Sequence, residues 1–187
     1  MSAGALDDDF LLDRIDSISA YPLTARMYRH TSPGRDPLSG AGAARFGGRW
    51  NPPGVATIYL AKPKDATFAE LRNLATKAAI SVTDLIDRGR TLHSIDVTGL
   101  PVLDLTAPDN LRALGVTLED LADDDRSLSQ AIGQAAYHLD RFSGILAPSA
   151  RDSTGQVLAA FELRADLAHL SFVTTRDITS GDLTGPP

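Results

Sequence analysis

Apolar residues recur every three or four positions between Asp65 and Ile80. Phe68, Leu71, Leu74, Ala75, Ala78 and Ala79 form one stripe, which predicts an amphipathic helix with Asp65 as its cap. Phe10, Leu11, Leu12, Ile15 and Ile18 predict a shorter helix near the amino terminus. Elsewhere the period shortens to two. Arg26–His30 reads as a strand with Met27 and Arg29 on one face and Tyr28 on the other. Val55–Ala61 reads as a central strand that places Thr57, Tyr59 and Ala61 together, with Ile58 and Leu60 opposite. Leu92–Val97, Gly144–Ala147, Val157–Leu163 and His169–Thr174 are further strands, and Val102–Leu105 a short extended piece. Pro108 opens a helix that closes near Gly115, and Thr117–Ala122 makes a helical turn. Ser127 and Gln130 match the S-x-x-Q capping box ahead of Leu128, Ile132, Ala135 and Leu139, so Ser127 is expected as an N-cap at a helix start able to receive phosphate. Residues 1–9 and 179–187 lack any such pattern and read as a frayed start and a polar tail.

One stretch breaks the periodicity in a different way. Arg45-Phe46-Gly47-Gly48-Arg49-Trp50-Asn51-Pro52-Pro53 pairs two arginines with two adjacent glycines, holds the sole Trp, and stops on two prolines. Glycine allows positive φ or close backbone approach, paired prolines forbid helix, and arginine offers a planar fork of donors suited to phosphate. The combination predicts a shaped loop holding an anion beside an aromatic face. Gly40-Ala41-Gly42 begins like a dinucleotide fingerprint, but no hydrophobic strand precedes it and no βαβ unit surrounds it.

Charge sharpens this picture. The chain of 187 residues carries a net charge of -6, yet Leu23–Pro52 contains Arg26, Arg29, Arg35, Arg45 and Arg49 against Asp36 alone. A cationic island in an acidic protein points to a small anionic ligand rather than a long polyanion. The absence of cysteine excludes disulfides, thiolate zinc sites and a cysteine nucleophile. His30, His93, His138 and His169 show no metal-ligand spacing, so no metal is expected. No apolar run reaches the length of a membrane span, and the acidic start lacks the basic region of a secretory signal, so a cytoplasmic protein is expected.

Taken together, these segments resemble the RES-domain toxin family. The resemblance is carried by Tyr28-Arg29, by the run from Leu38 to Pro52, by Ile58-Tyr59-Leu60-Ala61, by Glu70 in the next helix, by Ser127–Gly133 and by the Pro148-Ser149 corner. It is most similar to the actinobacterial branch, the toxins of MbcTA-type pairs. The resemblance implies an α+β fold, a single compact domain similar to ADP-ribosyltransferases, with central mixed or antiparallel sheets flanked by helices. It places an N-terminal extension at 1–20, the RES domain at 21–175 and a flexible tail at 176–187. It implies a toxin of a type II toxin–antitoxin pair that depletes NAD by cleaving the nicotinamide–ribose bond. Inorganic phosphate is the implied acceptor, giving ADP-ribose-1″-phosphate. Hydrolysis or transfer to a protein are the alternatives, and a metal-free endoribonuclease a more distant one. An Xre/MbcA-like antitoxin is the implied partner, occluding the active site and linking the toxin to nucleic acid only indirectly. NAD is then substrate and no cofactor is expected.

The chemistry needs few groups. A cationic nicotinamide departs neutral, so no strong general acid is required, and the ribose becomes oxocarbenium-like as in glycoside hydrolysis. Glu70 is the candidate carboxylate to stabilise that cation or hold a ribose hydroxyl. Tyr59 is expected to stack on nicotinamide or orient Glu70. Arg29 and Arg49 are expected to clamp the diphosphate or the incoming phosphate. Trp50, Gly48, Tyr28, Ser127 and Ser149 complete the expected substrate contacts, with the choice between the two serines open.

Overall fold

A computed structural model describes residues 8–150, 152, 154–165 and 168–183. In chain order the elements are α1 (Asp8–Asp16), β1 (Tyr21–Thr31), α2 (Ala41–Phe46), β2 (Thr57–Lys62), α3 (Lys64–Lys77), α4 (Val82–Asp87) and β3 (Thr91–Asp104). Then come α5 (Pro108–Leu114), α6 (Leu118–Ala122), α7 (Ser127–His138), β4 (Gly144–Pro148), β5 (Gln156–Phe161), β6 (Leu170–Asp177) and a 3₁₀ turn, Ser180–Leu183. The architecture is α+β: one mixed sheet with flanking helices.

The sheet nearly closes on itself. Strand order is β1-β2-β5-β4-β3-β6, and β1 also pairs with β3, so five strands form a ring with β6 attached to β3. Pairings are antiparallel except β3–β4. Residues of period two from every ring strand build one core: Leu23 and Met27, Ile58 and Leu60, Ile95 and Val97, Leu146 and Leu158. On a second face, α1, α5 and α7 pack Leu11, Ile15, Leu114, Ile132 and Ala136 against Phe142, Ile145 and Phe161. A third cluster sets Phe68, Leu71 and Ala75 of α3 against Leu85, Ile86, Leu92 and Ile178.

The expected elements all occur, with instructive differences. Leu92–Val97 and Val102–Leu105 are not two pieces: β3 runs through both, with Gly99 at φ +61° where the strand turns from β6 towards β4. Asp65 does not cap α3; Pro63 stands at the cap, and Asp65 lies in the first turn, where an acid suits the helix dipole. The apolar stripe of α3 stops at Ala75, with Leu74 37% exposed and Ala78 outside. Nor is the end of the chain a loose tail as far as it is described. Ile178 is 4% exposed, and Arg176 grips Asp182 through Nη1 at 2.8 Å and Nη2 at 2.5 Å. Residues 1–7 and 184–187, expected as frayed ends, lie outside the described residues.

Candidate active site

The ring has a weak seam. β1 and β2 share one register pair, Tyr28 with Ala61, whereas β1 pairs with β3 along most of its length. Beside that seam opens a cavity of about 500 Å³, within the ordinary range of small-molecule sites of roughly 300–1,000 Å³. β1 contributes Tyr28, Arg29 and His30; β2 contributes Tyr59 and Ala61; α3 contributes Thr67, Glu70, Asn73 and Lys77. The last four recur at three- and four-residue spacing, a polar stripe beside the helix's apolar one. Arg29, Arg49, Arg126 and Lys77 line the cavity, and Glu70 is the one carboxylate among the lining residues. Thus Glu70, Arg29 and Arg49, far apart in sequence, meet around one space.

Glu70 is half-buried and, among the described residues, carries no hydrogen bond or ion pair. Arg29 is held instead by backbone: its Nη1 donates to the Pro37 carbonyl at 2.5 Å and its Nη2 to the Ser39 carbonyl at 3.1 Å. Burial lowers the guanidinium's pKa, and the Asp36 and Glu162 carboxylates work in the opposite direction. It stays charged at neutral pH, as arginine does in proteins. Glu162 also accepts the Gly40 N–H at 2.7 Å, which fixes the turn that grips Arg29. Arg49 Nη1 donates to the carbonyls of Leu121 at 2.8 Å and Asp123 at 2.7 Å, tying the glycine loop to α6. Both arginines therefore bring rigid positive charge to the cavity while spending donors on the scaffold.

The loop itself is built around Tyr59 and Asn51. The Tyr59 hydroxyl donates to Asn51 Oδ1 at 2.7 Å and accepts the Trp50 amide at 2.9 Å. Burial raises the phenol's pKa, so it remains a donor. Asn51 Nδ2 in turn reaches the carbonyls of Ala43, Pro52 and Val55, each at 3.0 Å. Gly47 sits at φ +72°, and a Cβ on Gly48 would overlap the Tyr59 hydroxyl, so both glycines are required by the packing. The bonds of Tyr59 thus organise the loop, not Glu70.

Two expected contacts, Ser127 and Ser149, are not among the lining residues, and a third touches the cavity differently from the expectation. Trp50 is among the lining residues but offers no open aromatic face: the residue is 2% exposed and belongs to the core cluster with Leu103, Ile132 and Phe142, because a large apolar ring gains more from burial than from a solvated rim. Ser127 is exposed at the first position of α7 rather than its cap. Arg126 is the cap residue, Asp125 Oδ1 accepts the Ser127 N–H at 2.9 Å, and Gln130 reaches the Gly48 carbonyl at 2.9 Å instead of closing a capping box. Ser127 is not among the lining residues, whereas Arg126 is. Ser149 shapes the β4–β5 connection. Its N–H donates to the Gly155 carbonyl at 2.8 Å, its hydroxyl accepts from Asp152 N–H at 3.2 Å, and its neighbours Pro148 and Ala150 line the cavity.

Sequence reasoning passed over His30, Thr67, Phe46 and Arg126. Phe46 ends α2 on the cavity's edge, 74% exposed, with the Arg45 guanidinium 5.0 Å over its ring. His30 is half-buried with its Nδ1 enclosed, and its pKa is lowered to about 4, chiefly by burial and then by Arg90 and Arg29. The usable signal for Thr67 was its i,i+3 spacing from Glu70. Among the described residues no group of His, Asp or Glu could hold a metal ion, and no helix is long and apolar enough to cross a membrane.

An open cavity with one carboxylate among fixed cations, set at a seam in a ringed α+β sheet, defines a candidate nucleotide-processing site, and the chain belongs to the RES-domain family, whose model matches residues 25–180. It is similar to the NAD(+) phosphorylase MbcT of Mycobacterium tuberculosis, 40% identical over 173 residues, covering 92% of each chain. A second relative is the probable NAD(+) phosphorylase Rv3189 of the same organism, 35% identical over 136 residues, covering 72% of this chain and 63% of the relative. In three dimensions it is similar to a chain in the crystal structure of the M. tuberculosis MbcT-MbcA toxin-antitoxin complex. That match has a TM-score of 0.81 at 40% identity and covers 90% of this chain and 92% of that one.

Proposed function

We propose that this chain is an NAD phosphorylase toxin. It cleaves the nicotinamide–ribose bond of NAD with inorganic phosphate as acceptor, releasing nicotinamide and ADP-ribose-1″-phosphate. The observation that carries this reading is the meeting of Glu70 with Arg29 and Arg49 around one cavity, in a chain 40% identical to an NAD(+) phosphorylase over nearly its full length. The arginines and Arg126 supply the field for a diphosphate. Glu70 stands ready to stabilise positive charge developing on the ribose, the kind of preorganised electrostatics that contributes most to many enzymes. Nicotinamide leaves as a neutral molecule, so the cavity needs no proton donor for it. Tyr59 acts one step back, holding Gly47 and Gly48 where backbone can approach the ligand. A kinship with ADP-ribosyltransferases suits this chemistry, and a cytoplasmic location suits its substrate.

A cognate antitoxin of the MbcA kind keeps the enzyme silent by covering the cavity mouth, where Phe46 is exposed. Hydrolysis and transfer to a protein differ from phosphorolysis only in the acceptor that reaches the ribose. A ribonuclease reading is disfavoured by the net charge of -6 and by a single short arginine-rich island, Leu23–Pro52, in place of an extended basic track. Incubating the purified chain with NAD and with total RNA separates these classes: nicotinamide release with intact RNA is expected. Degraded RNA with intact NAD would overturn the assignment.

A further inference from the structure

Two enclosed polar atoms, on residues that line the cavity, have no hydrogen-bond partner among the described residues. Thr67 of α3, 2% exposed, buries its Oγ1 without a hydrogen bond, and His30 of β1 buries its Nδ1 in the same condition; both residues line the cavity. Buried polar groups in folded proteins are paired with few exceptions, and an unpaired one carries its full desolvation cost. Two exceptions on one cavity mark groups whose partner does not come from the chain. Thr67 also stands beside Glu70, which it precedes by three residues on the same helix face, and His30 lines the same cavity.

The two unpaired groups are themselves uncharged: Thr67 offers a hydroxyl, and burial, reinforced by Arg90 and Arg29, holds the His30 imidazole neutral. A neutral imidazole offers one donor and one acceptor, and a hydroxyl offers both. A primary carboxamide is their complement, with N–H groups to give and a carbonyl to receive. An uncharged pair also avoids repelling the positive pyridinium ring that carries this group. With Glu70 at the ribose carbon, the ring lies next to it, within one helical turn of Thr67.

Resting on the function proposed above, we propose that Thr67 Oγ1 and His30 Nδ1 form the subsite that recognises the carboxamide of the nicotinamide ring. Thr67→Val keeps the side-chain shape and removes the hydroxyl, and Thr67→Ser keeps the hydroxyl. Both are compared with the wild type for melting temperature and for KM with NAD and with its 3-acetylpyridine analogue, which lacks the amide N–H. The valine variant is expected to melt no lower than the wild type while its KM for NAD rises about fivefold, the worth of one neutral hydrogen bond. The serine variant keeps the wild-type KM. The wild type should prefer NAD to the analogue, and that preference should shrink in the valine variant, because the two losses remove the same contact. A valine variant that melts lower with unchanged KM makes the hydroxyl structural and overturns the proposal. So does an undiminished preference for NAD, which would assign the hydroxyl to another part of the dinucleotide. A wild type that releases no nicotinamide overturns the parent function itself, before any variant is compared.

Discussion

The hydroxyl of Tyr59 lies 2.7 Å from Asn51 Oδ1 and donates to it, while accepting the Trp50 amide at 2.9 Å. Through this pair, one phenol on β2 fixes the loop that brings Gly47, Gly48 and Arg49 to the cavity. Tyr59→Phe removes the hydroxyl from both bonds and leaves a buried N–H and a buried amide oxygen. The expected loss is about 1–3 kcal/mol of stability, seen as a lower urea midpoint, together with reduced kcat/KM for NAD. An unchanged midpoint would mean that the loop holds its shape without the phenol.

Arg29 is gripped at two carbonyls, Pro37 and Ser39, by two different guanidinium nitrogens. A lysine ammonium has the charge and not the fork. Arg29→Lys is therefore expected to lower kcat/KM at least about tenfold, a loss of roughly 1.4 kcal/mol of transition-state stabilisation. Steady-state kinetics with NAD checks it, and near-wild-type kcat/KM would remove the fork from the account.

Acid should weaken the fold through His30. Its pKa is about 4 when folded, against about 6.5 for an unperturbed imidazole in the unfolded chain. Between these values the unfolded chain binds the extra proton, so stability falls as pH drops from about 6.5 to about 4 and is flat in this respect above that window. The contribution is on the order of 3 kcal/mol. Urea melts across this range should show the slope, and His30→Gln should flatten it.

The end of the chain is part of the fold. Ile178 is 4% exposed and packs with Phe68, Leu71 and Leu92, on the apolar face of the helix that carries Glu70. Ile178→Ala should cost about 2–5 kcal/mol, measured by thermal or urea unfolding. A cost below about 0.5 kcal/mol, the range of ordinary surface changes, would show that this segment does not support α3.

These outcomes follow from what could and could not be seen in the chain. The periods of β1, β2 and α3 were legible because each buries one face, and so was the convergence of Arg29, Arg49 and Glu70, carried by the family resemblance. Cap and rim assignments were not, because they depend on tertiary competition. Asp125 took the Ser127 N–H, and Gln130 found a carbonyl 82 positions away. Trp50, expected to present an aromatic face, buried its ring in the core, while Phe46, for which the pattern announced no place, stayed exposed at the cavity edge. Ile178 looked like tail because a single apolar residue has no period, and only the packed helix shows where it goes. The ring closure of β1 on β3 is a long-range pairing that no local pattern announces.

The most direct test is NAD turnover by the wild type and by Glu70→Gln, with and without inorganic phosphate, with the ribose product identified by mass. Glu70 makes no bond that the fold depends on among the described residues, so the variant should melt like the wild type. The account predicts phosphate-dependent ADP-ribose-1″-phosphate from the wild type and none from the folded variant. Equal turnover by the two proteins, or a wild-type product that is the same with phosphate and without it, would contradict it.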